Sequence, residues 1–185
     1  MKPRTILLFV ALFSFFGSRA QHGPLSVDEI MQEAMQRAGK EKKNVLIIFH
    51  ASWCAWCHRM DSSINDENCK NFFDNNYVIR YLVVDESRDK KNLENPGANE
   101  FRAKYNGDNQ GIPFWLIFDK DGNLLADSQL RAEGDGLEKR GANVGCPASE
   151  KEVAQFIGIL KKTSHLKKSQ EQAIEKRFRQ NEAPW

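Results

Sequence analysis

Long apolar runs are scarce in this sequence. Past residue 20 none approaches the roughly 18 residues that a membrane-spanning helix needs, so no span is expected in the body of the chain. Charge of one sign is missing too. There are 27 basic residues against 25 acidic ones, a balance that argues against nucleic acid as the main partner. Cysteine is sparse, with four in 185 residues, too few for a disulfide scaffold of this length. There is neither a second C-x-x-C nor a paired-histidine motif, so the four ligands of a structural zinc site are not supplied and no metal is expected.

The first twenty residues are the exception to the scarcity of apolar runs. "MKPRTILLFVALFSFFGSRA" has Lys2 and Arg4, then an apolar stretch from Ile6 to Phe16, then the small residues Ser18 and Ala20. That three-part pattern is the signature of a secretory signal peptide. Cleavage is expected after Ala20, with an uncleaved anchor as the alternative. Without Lys2, Arg4 and Arg19 the net charge falls to near −1. No cysteine follows the apolar stretch to take a lipid, and "NEAPW" is not an endoplasmic-reticulum retention signal. The expected location is the periplasm or the exterior, and residues 21–165 are long enough for one domain with a real core.

Along that domain the elements alternate. Ser26 and Glu29 form a capping box ahead of Val27, Ile30, Met31, Ala34, Met35 and Ala38 at helical spacing. "NVLIIFH" (44–50) reads as a buried central strand. A helix is expected from Cys54 to about Met60, and Asn65 is expected to cap the next one, with Cys69, Phe72 and Phe73 on a single face. "YVIRYLVVDES" supplies a second strand, "ANEFRAKYN" a short helix, and "GIPFWLIFDKDGNLLADS" a strand, an Asp-Gly turn and a strand. Residues 127–145 read as a long surface loop, either an inert insertion or a rim of a substrate groove. Ser149 and Glu152 cap a last amphipathic helix. Residues 166–185 form a charged tail, a surface helix or a mobile end, with Ile174, Phe178 and Trp185 among its few apolar residues. A monomer is expected.

The chemistry sits in "FHASWCAWCHRM" (49–60). Cys54-Ala-Trp-Cys57-His58 fits two patterns, the C-x-x-C-H of c-type haem attachment and the C-x-x-C of thiol–disulfide exchange. Haem would use His58 as an axial ligand but leaves the rest of the chain unexplained.

"VLIIFHASWCAWCH", followed far downstream by "GIPFWLIFDKDG", resembles the thioredoxin superfamily over Asn44 to Leu160. The two tryptophans of "WCAWCH" and the "VVDES" strand resemble its secreted bacterial members. The resemblance implies an α/β thioredoxin-like fold: a central mixed sheet with helices on both faces, and an extra helix at the N-terminus. It implies an exported thiol–disulfide oxidoreductase that needs no cofactor beyond a Cys54–Cys57 disulfide. Cys54 would sit at a helix N-terminus, where free N–H groups and the dipole favour the thiolate, and would attack; Cys57 would resolve the mixed disulfide. Pro113 would be cis beside the pair, with the backbone of Ile112 meeting the substrate. Trp53 and Trp56 would help bind it. Partners would be protein disulfides and an electron-donor thiol protein, membrane-bound by family likeness.

The chain departs from the family in places. Ile48 stands where many thioredoxins have a buried acid, His50 where Trp is common, and Ala55-Trp56 where Gly-Pro is common. His50 and His58 are candidates for tuning a thiol. Ile112 before Pro113 resembles the reductase branch. Cys69 is expected to be a core residue, and Cys146 a passive loop thiol with a redox role as the alternative. A binding or chaperone protein without turnover is the rival reading of the same fold.

Overall fold

The computed structural model describes residues 23–183. The proposed leader and the final Trp185 lie outside the described residues.

A four-stranded sheet in the order β2-β1-β3-β4 forms the centre. β1 (Asn44–His50) runs parallel to β2 (Tyr77–Val83) and antiparallel to β3 (Phe114–Phe118), which pairs with β4 (Leu124–Asp127). β1 is covered on both faces, which is why its sequence is a continuous apolar run rather than an alternation. Val45, Ile47 and Phe49 point to one face, where they meet Val27, Ile30, Ala34 and Ala38 of α1 (Val27–Glu41) and Ala98 of α4 (Ala98–Lys104). Leu46 and Ile48 point to the other, against α2 (Ala55–Ile64), α3 (Lys70–Asn76) and α5 (Glu150–Thr163). The mixed sheet, the two helical layers and the additional N-terminal helix are the expected architecture.

Both expected capping boxes close. Ser26 N–H donates to Glu29 at 2.8 Å and Ser149 N–H to Glu152 at 2.9 Å, each satisfying a donor that the helix start leaves free. Three expectations are corrected. α2 runs one turn beyond Met60, because Ser63 and Ile64 are buried and the Ser63 hydroxyl bonds the Arg59 carbonyl. Asn65 therefore ends α2, its N–H on the Asp61 carbonyl, instead of starting α3. Residues 127–145 are not simply a surface loop: Ser128 and Gln129 are buried, and β5 (Gln129–Leu130) pairs with β6 (Ala142–Asn143). Arg131 and Asp127, both nearly inaccessible, form an ion pair at 2.6 Å under this hairpin.

Beyond residue 166 the chain forms α6 (Lys168–Arg179) and a 3-10 turn, Gln180–Glu182. Ile174 and Phe178 are fully buried, with the Phe178 ring 5.0 Å from that of Phe156.

Candidate functional site

The site is built at the C-terminal end of β1. His50 leads into Ala51, Ser52 and Trp53, and Cys54 is the N-cap of α2. Cys54 and Cys57 are bonded to each other as a disulfide. The Cys57 N–H donates to Cys54 Sγ at 3.1 Å, so one of the unpaired N–H groups of the helix start is aimed at this sulfur. The pair is almost inaccessible, at 3% and 5% exposure, while Trp53 and Trp56 beside it are 59% and 47% exposed. Two large indole faces thus stand in solvent around a small, recessed disulfide.

The opposite side is the loop before β3. The Ile112-Pro113 peptide bond is cis, and the Ile112 carbonyl oxygen lies 3.5 Å from Cys54 Sγ. Ile112 also packs against Ala51, Cys54 and Cys57. Next to this loop is a groove of about 230 Å³ lined by Trp56, Ile112, Pro113, Val144, Gly145 and Cys146. The structure therefore brings together Cys54, Cys57, Trp56, Ile112 and Pro113.

The two histidines are placed otherwise. His58 is exposed and its Nε2 lies 3.0 Å from the Ser52 carbonyl; a carbonyl only accepts, so this nitrogen carries the proton. His50 lies under the helix layer, its ring 5.2 Å from that of Tyr81, whose hydroxyl donates to Asp61 at 2.5 Å. Neither histidine hydrogen-bonds a cysteine sulfur among the described residues.

Burial lowers the His50 pKa below its usual 6.5, against the opposing pull of Asp61 and Glu86 and with a small push from His58. In the unfolded chain His50 takes its proton first. Stability associated with it is therefore complete above about pH 6.5 and declines as the pH falls from there through the folded value. By NMR the His50 ring should titrate below 6.5, and His50→Gln should flatten that part of the stability profile; a midpoint at or above 6.5 would contradict this placement.

Three residues that hold the motif gave no sequence signal of their own. The buried Glu86 accepts from the Ser52 N–H at 2.6 Å and from its hydroxyl at 2.8 Å. Burial works against its charge, but these two donors, together with Lys90 and His50 nearby, keep its carboxyl below the usual range. Asp85, at φ 54°, offers its carbonyl to the Trp53 indole N–H at 2.8 Å. Arg102 pins the Asp85 carboxylate at 2.6 Å. The only pointer to Asp85 and Glu86 was the "VVDES" likeness, which marks a strand end and not a contact, and Arg102 lay in a stretch read only as a short helix.

Cys69 and Cys146 are both buried free thiols. Desolvation pushes Cys69 up to about 11 and Cys146 up to about 12. Cys146 Sγ accepts from the Asn181 side chain at 3.3 Å. Among the described residues no group of three or more His, Cys, Asp or Glu is assembled that could hold a metal ion.

Residues 29–120 match a family described as thioredoxin-like. No curated protein matches the chain. Among solved structures, a disulphide isomerase from Xylella fastidiosa Temecula1 is 19% identical, covering 63% of this chain and 80% of its own, with a TM-score of 0.45. A protein described as DsbH oxidoreductase is 20% identical over 86% and 95%, with a TM-score of 0.40. The oxidised C-terminal domain of DsbD from Neisseria meningitidis is 18% identical over 56% and 84%, with a TM-score of 0.39. Likenesses of this size assign no activity to the present chain.

Proposed function

We propose that this chain, which carries a thioredoxin-like domain, is an exported thiol–disulfide oxidoreductase acting on protein disulfides. The observation that carries the reading is the Cys54–Cys57 bridge at the start of α2, with the Cys57 N–H on Cys54 Sγ and the Ile112 carbonyl beside it. In the reduced state that N–H and the helix start favour a Cys54 thiolate, the form that attacks sulfur. The thiolate attacks one sulfur of the substrate disulfide and the other leaves as a thiolate that takes a proton from water. Cys57, deprotonated, then attacks Cys54 Sγ and expels the second substrate sulfur. The substrate gains two electrons and the chain is left with the Cys54–Cys57 disulfide. A donor dithiol returns the electrons, so no further cofactor is required.

Ile48 stands where many thioredoxins have a buried acid, so by that likeness Cys57 has no carboxylate there to take its proton. Its proton must leave by another route, which makes the second step the slower one in this reading. Export rests on the sequence of residues 1–20, and a membrane-bound donor rests on family likeness. The direct test is turnover: catalytic amounts of the protein should accelerate reduction of a disulfide-bonded protein by dithiothreitol. A rate equal to that of dithiothreitol alone overturns the proposal.

A further inference from the structure

The second wall of the groove comes from residues 128–146, a segment beyond the part of the chain that matches the family. It is sewn to the loop that carries Ile112 and Pro113. The Asn143 side-chain amide donates to the Gly111 carbonyl at 2.6 Å and to the Pro113 carbonyl at 3.1 Å. Its oxygen accepts from the Gly145 N–H at 3.1 Å. Gln110 answers from the other side, donating to the Gly141 carbonyl at 2.9 Å and accepting from the Asn143 N–H at 3.3 Å. The Trp115 indole N–H holds the Gly145 carbonyl at 2.9 Å.

The approach is close. A Cβ on Gly145, which sits at φ +66°, would meet the Pro113 carbonyl oxygen at 3.3 Å, so glycine is what this contact accommodates. Beneath the wall, the buried Asp127–Arg131 pair and the Gln129 side chain, bonded to the Gly141 N–H at 2.9 Å, fix the hairpin from below. An inert insertion has no need of this many specific bonds to one loop.

The distribution of those bonds is selective. The carbonyls on either side of Ile112 are taken up by Asn143, whereas the Ile112 N–H has no hydrogen-bond partner among the described residues and its carbonyl faces Cys54. What remains available next to the disulfide is one residue's main chain, flanked by the Trp56 ring and the Val144–Gly145 backbone. An extended polypeptide can pair with such a surface through its own backbone; a small disulfide has no strand to offer.

Resting on the oxidoreductase reading above, we propose that the 128–146 segment is a specificity wall selecting disulfides carried on an extended polypeptide over small disulfides, and that Asn143 is its positioning residue. The test compares a disulfide-bonded protein with 5,5′-dithiobis(2-nitrobenzoate) as substrates of wild type, Asn143→Ala and Asn143→Asp. In both variants the ratio of kcat/KM for the protein to that for the small disulfide should fall about five- to tenfold, the scale of one or two lost hydrogen bonds. The fall should lie in KM for the protein rather than in kcat. Aspartate keeps the size of the side chain but not its donors, so an Asp variant that behaves as wild type contradicts the role given to the amide. Should the Asn143 variants fail to fold, Gln110→Ala opens the same seam from the facing loop and should move the ratio in the same direction. A ratio equal to wild type in these folded variants overturns the wall alone; a wild-type protein that reduces neither substrate overturns the oxidoreductase reading and the wall with it.

Discussion

Replacement of Cys54 by serine is expected to abolish disulfide reduction, on the order of a thousandfold or more, the scale on which turnover is lost when a nucleophile is removed. A serine hydroxyl does not ionise near neutral pH, so the N–H of Cys57, now facing Cys54 Sγ at 3.1 Å, would have no thiolate to favour. Folding should be almost unaffected, because a hydroxyl at the N-cap accepts the same N–H bond that the sulfur accepts. Cys57→Ser separates the two steps. Attack by Cys54 would proceed, resolution would not, and a mixed disulfide with the substrate protein should accumulate on a non-reducing gel. If Cys54→Ser retained turnover, the nucleophile would be elsewhere. If Cys54→Ser lost turnover while a partner stayed bound, binding would still be distinct from catalysis, and the rival chaperone reading would require wild type to show no turnover at all.

The second large effect concerns stability. Phe178→Ala is expected to cost about 3–5 kcal/mol, the usual range for an aromatic side chain cut out of a packed core. Phe178 is fully buried, its ring 5.0 Å from that of Phe156 and 6.4 Å from that of Phe73. On a domain of this size the loss corresponds to a Tm lowered by roughly 6–20 °C, readable by thermal or urea unfolding. A fall of less than about 2 °C would mean that α6 contributes little and that the segment past residue 166 behaves as a tail. Loss of α6 would also reach the site. The turn that follows it places Asn181 on Ser63 at 3.0 Å and on Cys146, and its carbonyl on Arg59, whose guanidinium lies 4.7 Å over the Trp56 ring.

Much of this fold was legible in short stretches whose physics is local. The run Asn44–His50 could only be a strand buried on both faces, and Ser26/Glu29 and Ser149/Glu152 announce helix starts by satisfying their own donors. Local signals failed where two elements compete for one residue. Asn65 suits the start of α3 as well as the end of α2, and burial of Ser63 and Ile64 decided for the latter. They failed again where polar residues are buried through partners distant in sequence. Asp127, Gln129 and Arg131 look like a solvated loop until they are seen to satisfy one another. α6 carries its core contribution on two residues, Ile174 and Phe178, in an otherwise charged helix, too little apolar content for periodicity to assert a buried face.

The candidate site divides the same way. Cys54 and Cys57 were visible as a motif, and the resemblance placed Ile112 and Pro113 beside them. Glu86, Asp85 and Arg102 were not, because their work is done through Ser52, Trp53 and each other across more than 30 residues of chain in the case of the Ser52–Glu86 bonds. Asn143 was hidden inside a segment that read as a loop.

The most direct test of the central claim is mass spectrometry of the purified protein after thiol alkylation, across a graded series of thiol/disulfide buffers. The expected result is a reversible two-electron transition confined to Cys54 and Cys57, with Cys69 and Cys146 unalkylated in the folded protein throughout, as their burial and raised thiol pKa values require. A covalent haem mass on the pair, a Cys54–Cys57 bridge that never exchanges, or a transition that draws in Cys146 would contradict it.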